Sequence, residues 1–163
     1  MKNKKIDYSI RPLEPAEYHL LEDFLYEAIF VPEGMEPPVR SIISAPELQI
    51  YIEDFGKKPD DRCLAAEADG RIVGAVWTRI MNDYGHVDDE TPSFAIALYP
   101  EYRGLGIGTE LMKQMLKQLR GAGYTKASLS VQKKNYAVRM YQNLGFTVAA
   151  ENNQEYIMVF RFV

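Results

Sequence analysis

Three glycines at alternate positions mark residues 102–109, which read Tyr-Arg-Gly-Leu-Gly-Ile-Gly-Thr. Glycine has no side chain and tolerates left-handed backbone conformations, so neighbouring N–H groups can turn toward one ligand. An apolar run ends just before this segment at Pro100, and apolar residues with helical spacing begin near Ile107. Because the N-terminus of a helix attracts anions, the segment is predicted to bind a phosphate group.

Two common nucleotide-binding motifs have a different spacing. The dinucleotide fingerprint Gly-x-Gly-x-x-Gly needs a third glycine where Thr109 stands. The P-loop needs a lysine followed by Ser or Thr, and residues 108–110 contain no lysine. What remains is Arg-x-x-Gly-x-Gly, from Arg103 to Gly108. Taken alone, these residues also suit a glycine-rich turn that only leads into a helix.

A second segment with defined spacing covers residues 135–146, Asn-Tyr-Ala-Val-Arg-Met-Tyr-Gln-Asn-Leu-Gly-Phe. Asn135 is predicted to cap a short helix, and Gly145 to end it in a left-handed conformation. Phe146 is then expected to pack against the last turn. Tyr141 lies within this helix, where its ring can be buried while its hydroxyl reaches a polar surface.

Together the two segments resemble the GCN5-related N-acetyltransferase (GNAT) family. In that family an Arg-x-x-Gly-x-Gly loop binds the pyrophosphate of coenzyme A. A later helix carries an Asn, a small residue two positions on and a Tyr six positions on, before Leu-Gly-Phe. Here these are Asn135, Ala137 and Tyr141. The resemblance implies transfer of an acetyl group from acetyl-CoA, the cosubstrate, to an amine of a small molecule or a peptide.

The resemblance also implies roles for individual residues. Tyr141 corresponds to the acid that protonates the departing thiolate, and Asn135 to a contact with the pantetheine or phosphate region. The strand before the loop supplies backbone donors for pantetheine and the acyl oxygen through Ile96, Ala97 and Leu98. The predicted pyrophosphate loop consists of Arg103, Gly104, Leu105, Gly106, Ile107, Gly108 and Thr109.

Deprotonation of the acceptor has several candidate residues. Keeping an alkyl amine neutral at pH 7 costs roughly 4 to 5 kcal/mol, whereas an α-amine costs only about 1 kcal/mol. The candidate bases are Glu33, His86, Asp88, Asp89 and Glu90. Glu33 and Glu90 are also the predicted contacts to the acceptor. A water relay, as in many members of the family, is the alternative to a side-chain base.

Hydrophobic periodicity and turn residues predict the elements that hold these motifs. Strands are predicted over residues 8–13, 62–68, 71–80, 93–98, 126–131, 147–150 and 155–162, with Asp69-Gly70 as a hairpin turn. Helices are predicted over 15–29 and 46–55, after Ile107 and after Asn135. This order resembles the family and implies an α/β (α+β) fold as a single domain over residues 1–163. Its mixed, mostly antiparallel sheet would have about seven strands flanked by four helices, with strands 93–98 and 126–131 splayed apart.

Composition limits the classes of function. The 163 residues carry a net charge of −4 and are 47% hydrophobic, which is ordinary for a globular domain and lacks the basic excess of a nucleic-acid binder. No apolar segment reaches the length of a signal peptide core or a membrane span, so a cytoplasmic location without a membrane partner is expected. The single cysteine, Cys63, excludes an internal disulfide, and no metal is expected. A homodimer is compatible with such a fold.

A catalytically silent module of the same fold is the alternative function. Such a module would bind coenzyme A for regulation. A further alternative is a protein that acts mainly as one partner in a complex, with residues 33–40 as an interaction loop. No acceptor would then release thiol from acetyl-CoA. Tyr141 and Asn135 favour the enzyme.

Overall fold

The computed structural model describes residues 6–162, in which seven strands form one sheet. The strands are β1 (Tyr8–Pro12), β2 (Arg62–Ala68), β3 (Arg71–Arg79), β4 (Ser93–Leu98), β5 (Lys126–Gln132), β6 (Thr147–Glu151) and β7 (Glu155–Arg161). Their spatial order is β1-β2-β3-β4-β5-β7-β6, and all neighbours are antiparallel except β4 and β5. The predicted mixed, mostly antiparallel sheet is confirmed, with strand ends within one residue of those expected.

Four α-helices flank the sheet, as predicted: α1 (Leu21–Glu27), α2 (Pro46–Gln49), α3 (Ile107–Gly121) and α4 (Ala137–Leu144). The apolar stripe of α3 packs on one face of the sheet together with residues of α4. The opposite face packs against α1 through Leu21 and Phe24, which contact a cluster that includes Trp77. The core therefore has two layers, one on each side of the sheet. None of the helices within residues 6–162 is both long enough and apolar enough to cross a membrane.

The first predicted helix, over residues 15–29, is wrong in its first part. Residues Pro15–Leu20 form a 3₁₀ helix, and α1 covers only Leu21–Glu27. The side chain of Glu17 turns back to accept hydrogen bonds from the Glu14 N–H at 3.0 Å and from Arg11 at 2.8 Å. These bonds hold a tight turn at the start of the segment, where 3₁₀ geometry is common.

The second predicted helix, over residues 46–55, is too long because α2 ends at Gln49. Side chains of β3 bind the carbonyls just beyond it. Arg79 Nη1 donates to the carbonyls of Ile50 and Glu53 at 3.0 and 2.9 Å, and Trp77 Nε1 donates to that of Tyr51 at 3.0 Å. The chain after α2 is therefore satisfied by the sheet rather than by further helical turns.

Arg79 is itself held by a buried ion pair. Its Nε and Nη2 donate to the two carboxylate oxygens of Asp61 at 3.0 and 3.1 Å, and the two side chains are only 2% and 0% exposed. Asp61 also accepts a hydrogen bond from the Gly56 N–H at 2.9 Å. The pair thus fixes the irregular segment 50–61 against the end of β3.

Glu17 contributes stability that depends on pH. Its hydrogen bonds to Arg11 lower its pKa from 4.5 to about 2. Because the pKa is lower in the folded state, this stabilisation is complete above pH 4.5 and is lost as the pH falls toward 2. We expect Glu17→Gln to lower the melting temperature at neutral pH, and the difference from the wild type to shrink as the pH falls, measured by circular dichroism. Glu36→Gln, at an exposed loop position, is the control. A difference that does not change with pH would contradict the prediction.

Candidate active site

The glycine loop has the backbone conformation of an anion-binding turn. Gly104 and Gly106 have φ angles of +75° and +86°, a region that residues with side chains rarely adopt. A Cβ atom at either position would meet no other atom within 4 Å. Glycine is therefore required by the backbone angle, and the surface above the loop stays open to a ligand.

The first turn of α3 offers free N–H groups to that surface. Gly106 precedes the helix, no side chain caps it, and the first helical bond runs from the Glu110 N–H to the Gly106 carbonyl at 3.2 Å. The N–H groups of Ile107, Gly108 and Thr109 therefore lack a carbonyl one turn earlier in the helix. The Ile107 side chain is fully buried, so this residue can offer only its backbone. Unpaired N–H groups and the helix dipole together favour an anion here.

Arg103 is tied into the fold on one side. Its Nε donates to the Leu98 carbonyl at 3.0 Å, and its Nη2 donates to the Glu27 carbonyl at 3.2 Å and lies 3.4 Å from the Glu27 carboxylate. The side chain thereby joins the glycine loop to the ends of β4 and α1. Within residues 6–162 its Nη1 has no hydrogen-bond partner and is the part of the guanidinium left for a ligand.

β4 and β5 form a fork, which confirms the predicted splayed pair. Ser93 and Ser128 are the single pair of residues in register, supported by a hydrogen bond from the Ser128 N–H to the Pro92 carbonyl at 2.9 Å. Beyond this root the strands separate, so the backbone groups of residues 95–98 that face β5 have no ladder partner. Ile96 and Leu98 pack toward α3, while Ala97 packs on the opposite face.

Tyr141 lies on α4, in the same core layer as α3. Its ring packs against Phe146 with 6.0 Å between ring centroids, and the side chain is nearly buried at 7% exposure. None of residues 6–162 forms a hydrogen bond with its hydroxyl group. Burial raises the pKa of this hydroxyl to about 12, so it keeps its proton at neutral pH and can donate it.

The ends of α4 follow the predicted local interactions. Asn135 Oδ1 accepts a hydrogen bond from the Ala137 N–H at 2.9 Å, although the helix itself begins only at Ala137. Gly145 has a φ of +113°, and the Phe146 N–H donates to the Tyr141 carbonyl at 3.0 Å. The carboxamide of Asn135 therefore shapes the entry to the helix, and its contact with a ligand stays a prediction.

A cavity of about 390 Å³ lies between the first turns of α3 and one side of α4 along its length. It begins beside the glycine loop at Thr109 and includes the basic side chains of Lys113 and Arg139. Tyr136, which is 79% exposed, stands at its border with Asn143. The residues of α4 in this cavity were not selected from the sequence. Tyr136, Arg139 and Asn143 share one helix face by their spacing, which is the signal that could have selected them.

The two predicted acceptor residues are exposed on separate loops. Glu33 lies between α1 and the 3₁₀ helix Arg40–Ser44, and Glu90 lies between β3 and β4. Asp88 anchors this second loop by pairing with Lys126 at 2.8 Å and by accepting hydrogen bonds from the Thr91 hydroxyl and the Glu90 N–H. These interactions lower the pKa of Asp88 and make it a weak proton acceptor.

His86 and Asp89 are brought together at another cavity. His86 Nδ1 lies 2.7 Å from the Met81 carbonyl, and its Nε2 lies 3.4 Å from Asp89. Both residues border a cavity of about 300 Å³ with Lys58 and Asn82. Within residues 6–162, no three His, Cys, Asp or Glu side chains are placed to hold a metal ion.

A polar cluster at the root of the fork was not predicted. The Ser93 hydroxyl donates to Asp83 at 3.0 Å, and the Ser128 hydroxyl donates to the Gly85 carbonyl at 2.7 Å. The two serine oxygens lie 3.3 Å apart. Asp83 is largely buried, and burial raises its pKa. No motif in the sequence marks these residues, because their contacts join segments 10 to 43 residues apart.

The sequence is similar to a known family and to curated proteins. Residues 22–146 match the family described as the acetyltransferase (GNAT) family. A mycothiol acetyltransferase from Nocardiopsis dassonvillei is 34% identical over 105 residues, which cover 62% of this chain and 32% of that protein. Another from Pseudarthrobacter chlorophenolicus is 26% identical over 140 residues, which cover 85% and 42%. The chain spans less than half the length of these curated relatives.

A solved structure shares the whole fold. The PaiA N-acetyltransferase from Thermoplasma acidophilum, in complex with coenzyme A, superposes with a TM-score of 0.71 at 20% identity. The match covers 96% of this chain and 100% of that one. The glycine loop and the β4–β5 fork agree with this likeness. This chain belongs to the acetyltransferase (GNAT) family, because its sequence matches the family over residues 22–146.

Proposed function

We propose that this protein transfers an acetyl group from acetyl-CoA to a primary amine at the fork between β4 and β5. One observation carries the proposal: the unpaired edge of β4 lies beside a helix N-terminus with free N–H groups, and the same core layer holds a buried tyrosine hydroxyl that has no hydrogen-bond partner among the described residues. An anion site, a strand edge and a proton donor suit an acyl carrier that is long and negatively charged at one end.

The residues present fit coenzyme A. Residues 104–109 and the start of α3 would hold the pyrophosphate, since the two left-handed glycines leave that surface open. Coenzyme A carries a further phosphate outside its pyrophosphate. Lys113 and Arg139, in the adjoining cavity, supply positive charge for that phosphate. The backbone of residues 96–98 would bind pantetheine as a further strand, and Asn135 would contact it through its Nδ2. Acetyl-CoA supplies the acyl group in activated form, as a thioester.

Groups of the protein act at each end of the reacting centre. The backbone N–H groups of β4 that face the fork stabilise negative charge on the acyl oxygen, because they are fixed in place before the reaction begins. Tyr141 donates its proton to the departing sulfur. Its hydroxyl is free for this role because no residue of the described chain engages it.

The experiment that tests the proposal is a panel of acceptors. Purified protein is incubated with acetyl-CoA and, separately, a peptide α-amine, lysine, spermidine and an aminoglycoside, and free thiol is followed with a chromogenic reagent. We expect at least one amine to release thiol faster than the reaction without protein. Coenzyme A binding in calorimetry without thiol release would favour the catalytically silent module. Absence of coenzyme A binding would overturn both functions.

Gly106→Val is expected to weaken coenzyme A binding by about tenfold, since a left-handed conformation costs a residue with a side chain roughly 1–2 kcal/mol and a β-branched one more. The added side chain would also stand in the open surface above the loop. Isothermal titration calorimetry with coenzyme A measures the effect. Gly121→Ala, at the other end of α3, is the control, because an added Cβ there meets open space and no positive φ angle is required. Native affinity in Gly106→Val would contradict the assigned phosphate site.

A further inference from the structure

The cluster at the root of the fork contains a buried carboxylate without a cationic partner. No Lys, Arg or His among residues 6–162 forms an ion pair with Asp83. Its neighbours are hydroxyl and N–H donors, which are the Ser93 hydroxyl at 3.0 Å, the Tyr51 hydroxyl and the Gly85 N–H. A buried carboxylate held by donors alone remains able to take up a proton, because no fixed positive charge keeps it ionised.

Tyr51 lies next to this carboxylate on the α1 side of the sheet. Its ring is buried with Met81, and Ala95 of β4 packs against the same cluster. Its hydroxyl is close to Asp83, Ser130 and the Tyr84 N–H. Ser130 lies two residues beyond Ser128 on β5, and therefore on the same face of the strand but past the root, where β4 no longer pairs. The hydroxyl thus lies beside β5 on the α1 side of the sheet, one step past the root of the fork.

Tyr51 and Tyr141 reach the sheet from opposite sides. Tyr141 belongs to the core layer with α3, whereas Ala95 and Tyr51 belong to the layer with α1. A thioester carbonyl held between β4 and β5 would have one tyrosine on each face. An acceptor must approach the face that the sulfur and Tyr141 do not occupy, so Tyr51 is the hydroxyl that it would meet.

We propose that Tyr51 and Asp83 form a proton relay that deprotonates the acceptor amine on the face of the sheet opposite to Tyr141. This inference rests on the proposed acetyltransferase function and names groups for its first proton transfer. One N–H bond of the ammonium breaks and its proton joins the Tyr51 oxygen. The O–H bond of Tyr51 breaks as its proton passes to Asp83, which becomes a carboxylic acid. The nitrogen keeps the electron pair with which it attacks the acyl carbon, and Asp83 later returns the proton to water.

The properties of the two groups agree with these roles. Burial raises the pKa of Asp83 above its ordinary 3.8, which brings the carboxylate closer to the strength a base needs near neutral pH. Burial, together with the charge of Asp83, also raises the pKa of Tyr51, so the phenol keeps a proton and relays one rather than losing it to water. Ser93 holds the carboxylate in place and is a positioning residue.

The test compares two small amines that differ in whether they need a base. Ethanolamine is an ammonium ion at pH 7, whereas hydroxylamine is mostly neutral at this pH. Thiol release from acetyl-CoA is measured with each amine, and the rate without protein is subtracted. We expect Asp83→Asn to lower kcat/KM for ethanolamine by about 10²-fold and for hydroxylamine much less. Tyr51→Phe should show the same pattern, because it keeps the ring and the backbone carbonyl bound by Trp77.

Asp54→Asn is the matched control. It makes the same chemical change at an exposed carboxylate, whose side chain is 69% exposed and whose positive φ suits asparagine. Both rates should stay at their wild-type values. If Asp83→Asn melts early in circular dichroism, Tyr51→Phe decides the question.

Two results would overturn the relay. Equal losses with both amines would make the cluster a purely structural support. A wild-type protein that uses neither small amine would also contradict the relay as stated. The acceptor panel and calorimetry then decide separately whether the acetyltransferase proposal stands.

Discussion

Replacing Tyr141 with Phe is expected to lower kcat for acetyl transfer by about 10²-fold and to leave the KM for acetyl-CoA nearly unchanged. The substitution keeps the ring that packs against Phe146 and removes only the hydroxyl. Without this donor the sulfur has to leave as a thiolate, which raises the barrier to the chemical step. Binding of the cosubstrate depends on other groups, so kcat should change while KM does not.

The pKa of Tyr141 sets the pH range of this effect. Burial raises it to about 12, so the acid stays protonated throughout the neutral and mildly alkaline range. The kcat of the wild type should therefore show no alkaline decline from loss of this proton until the pH approaches 12. The kcat of Tyr141→Phe should lie below it by a constant factor over the same range.

Steady-state kinetics with the best amine of the panel measures the effect. Tyr18→Phe is a matched control, since Tyr18 packs edge-on against Phe55 in the layer of α1, away from α4. Circular dichroism shows whether both variants fold as the wild type does. Full turnover in Tyr141→Phe would exclude the tyrosine as the acid.

Asp61→Asn is expected to lower the free energy of unfolding by about 3–5 kcal/mol, because it leaves the buried charge of Arg79 without its partner. The guanidinium is 2% exposed and has no access to bulk water. The amide can accept one of the two hydrogen bonds but carries no negative charge. Urea denaturation at pH 7 measures the loss.

Glu101→Gln is the control for the ion pair. It removes the charge from a pair with Arg71 at 3.1 Å, whose side chains are 59% and 54% exposed. An exposed pair is screened by water, so the loss should stay below about 1 kcal/mol. Equal losses in the free energy of unfolding would contradict the prediction that the buried pair contributes more stability than the exposed pair.

The double variant Asp61→Leu with Arg79→Met is informative because Arg79 also donates hydrogen bonds to two backbone carbonyls. Replacing both charges removes the unpaired ion, but the carbonyls of Ile50 and Glu53 then lose their donors. We therefore expect only partial recovery. Tyr51 lies in the same segment, so its displacement should lower the rate with ethanolamine in Asp61→Asn and in the double variant, but not in Glu101→Gln.

The parts of the fold that could be predicted are those specified by neighbouring residues. Asp69 and Gly70 both have positive φ angles, as the two-residue hairpin signal requires. Gly145 ends α4 in a left-handed conformation, and the spacing of apolar residues predicted that α3 begins near Ile107. In each case the residues that determine the geometry lie within a few positions of one another.

The parts that could not be predicted depend on side chains that are distant in the sequence. α2 ends early because Arg79, almost thirty positions later, binds the carbonyls beyond it. Asp88 looked like a candidate base, but Lys126 pairs with it from β5. Asp83 has no distinguishing neighbours in the chain, and only the fold brings it to Ser93 and Tyr51. Spacing along one sequence does not reveal such partners.

The single pair of residues between Ser93 and Ser128 also has a mechanical consequence. The sheet consists of a ribbon of β1 to β4 and a ribbon of β5, β7 and β6, joined by one ladder position. Within each ribbon the strands are paired along most of their length, so each is stiff, and bending concentrates at the joint between them. A strand-like ligand bonded to both edges would stiffen that joint, so the cohesion of the whole sheet would depend on occupancy of the fork.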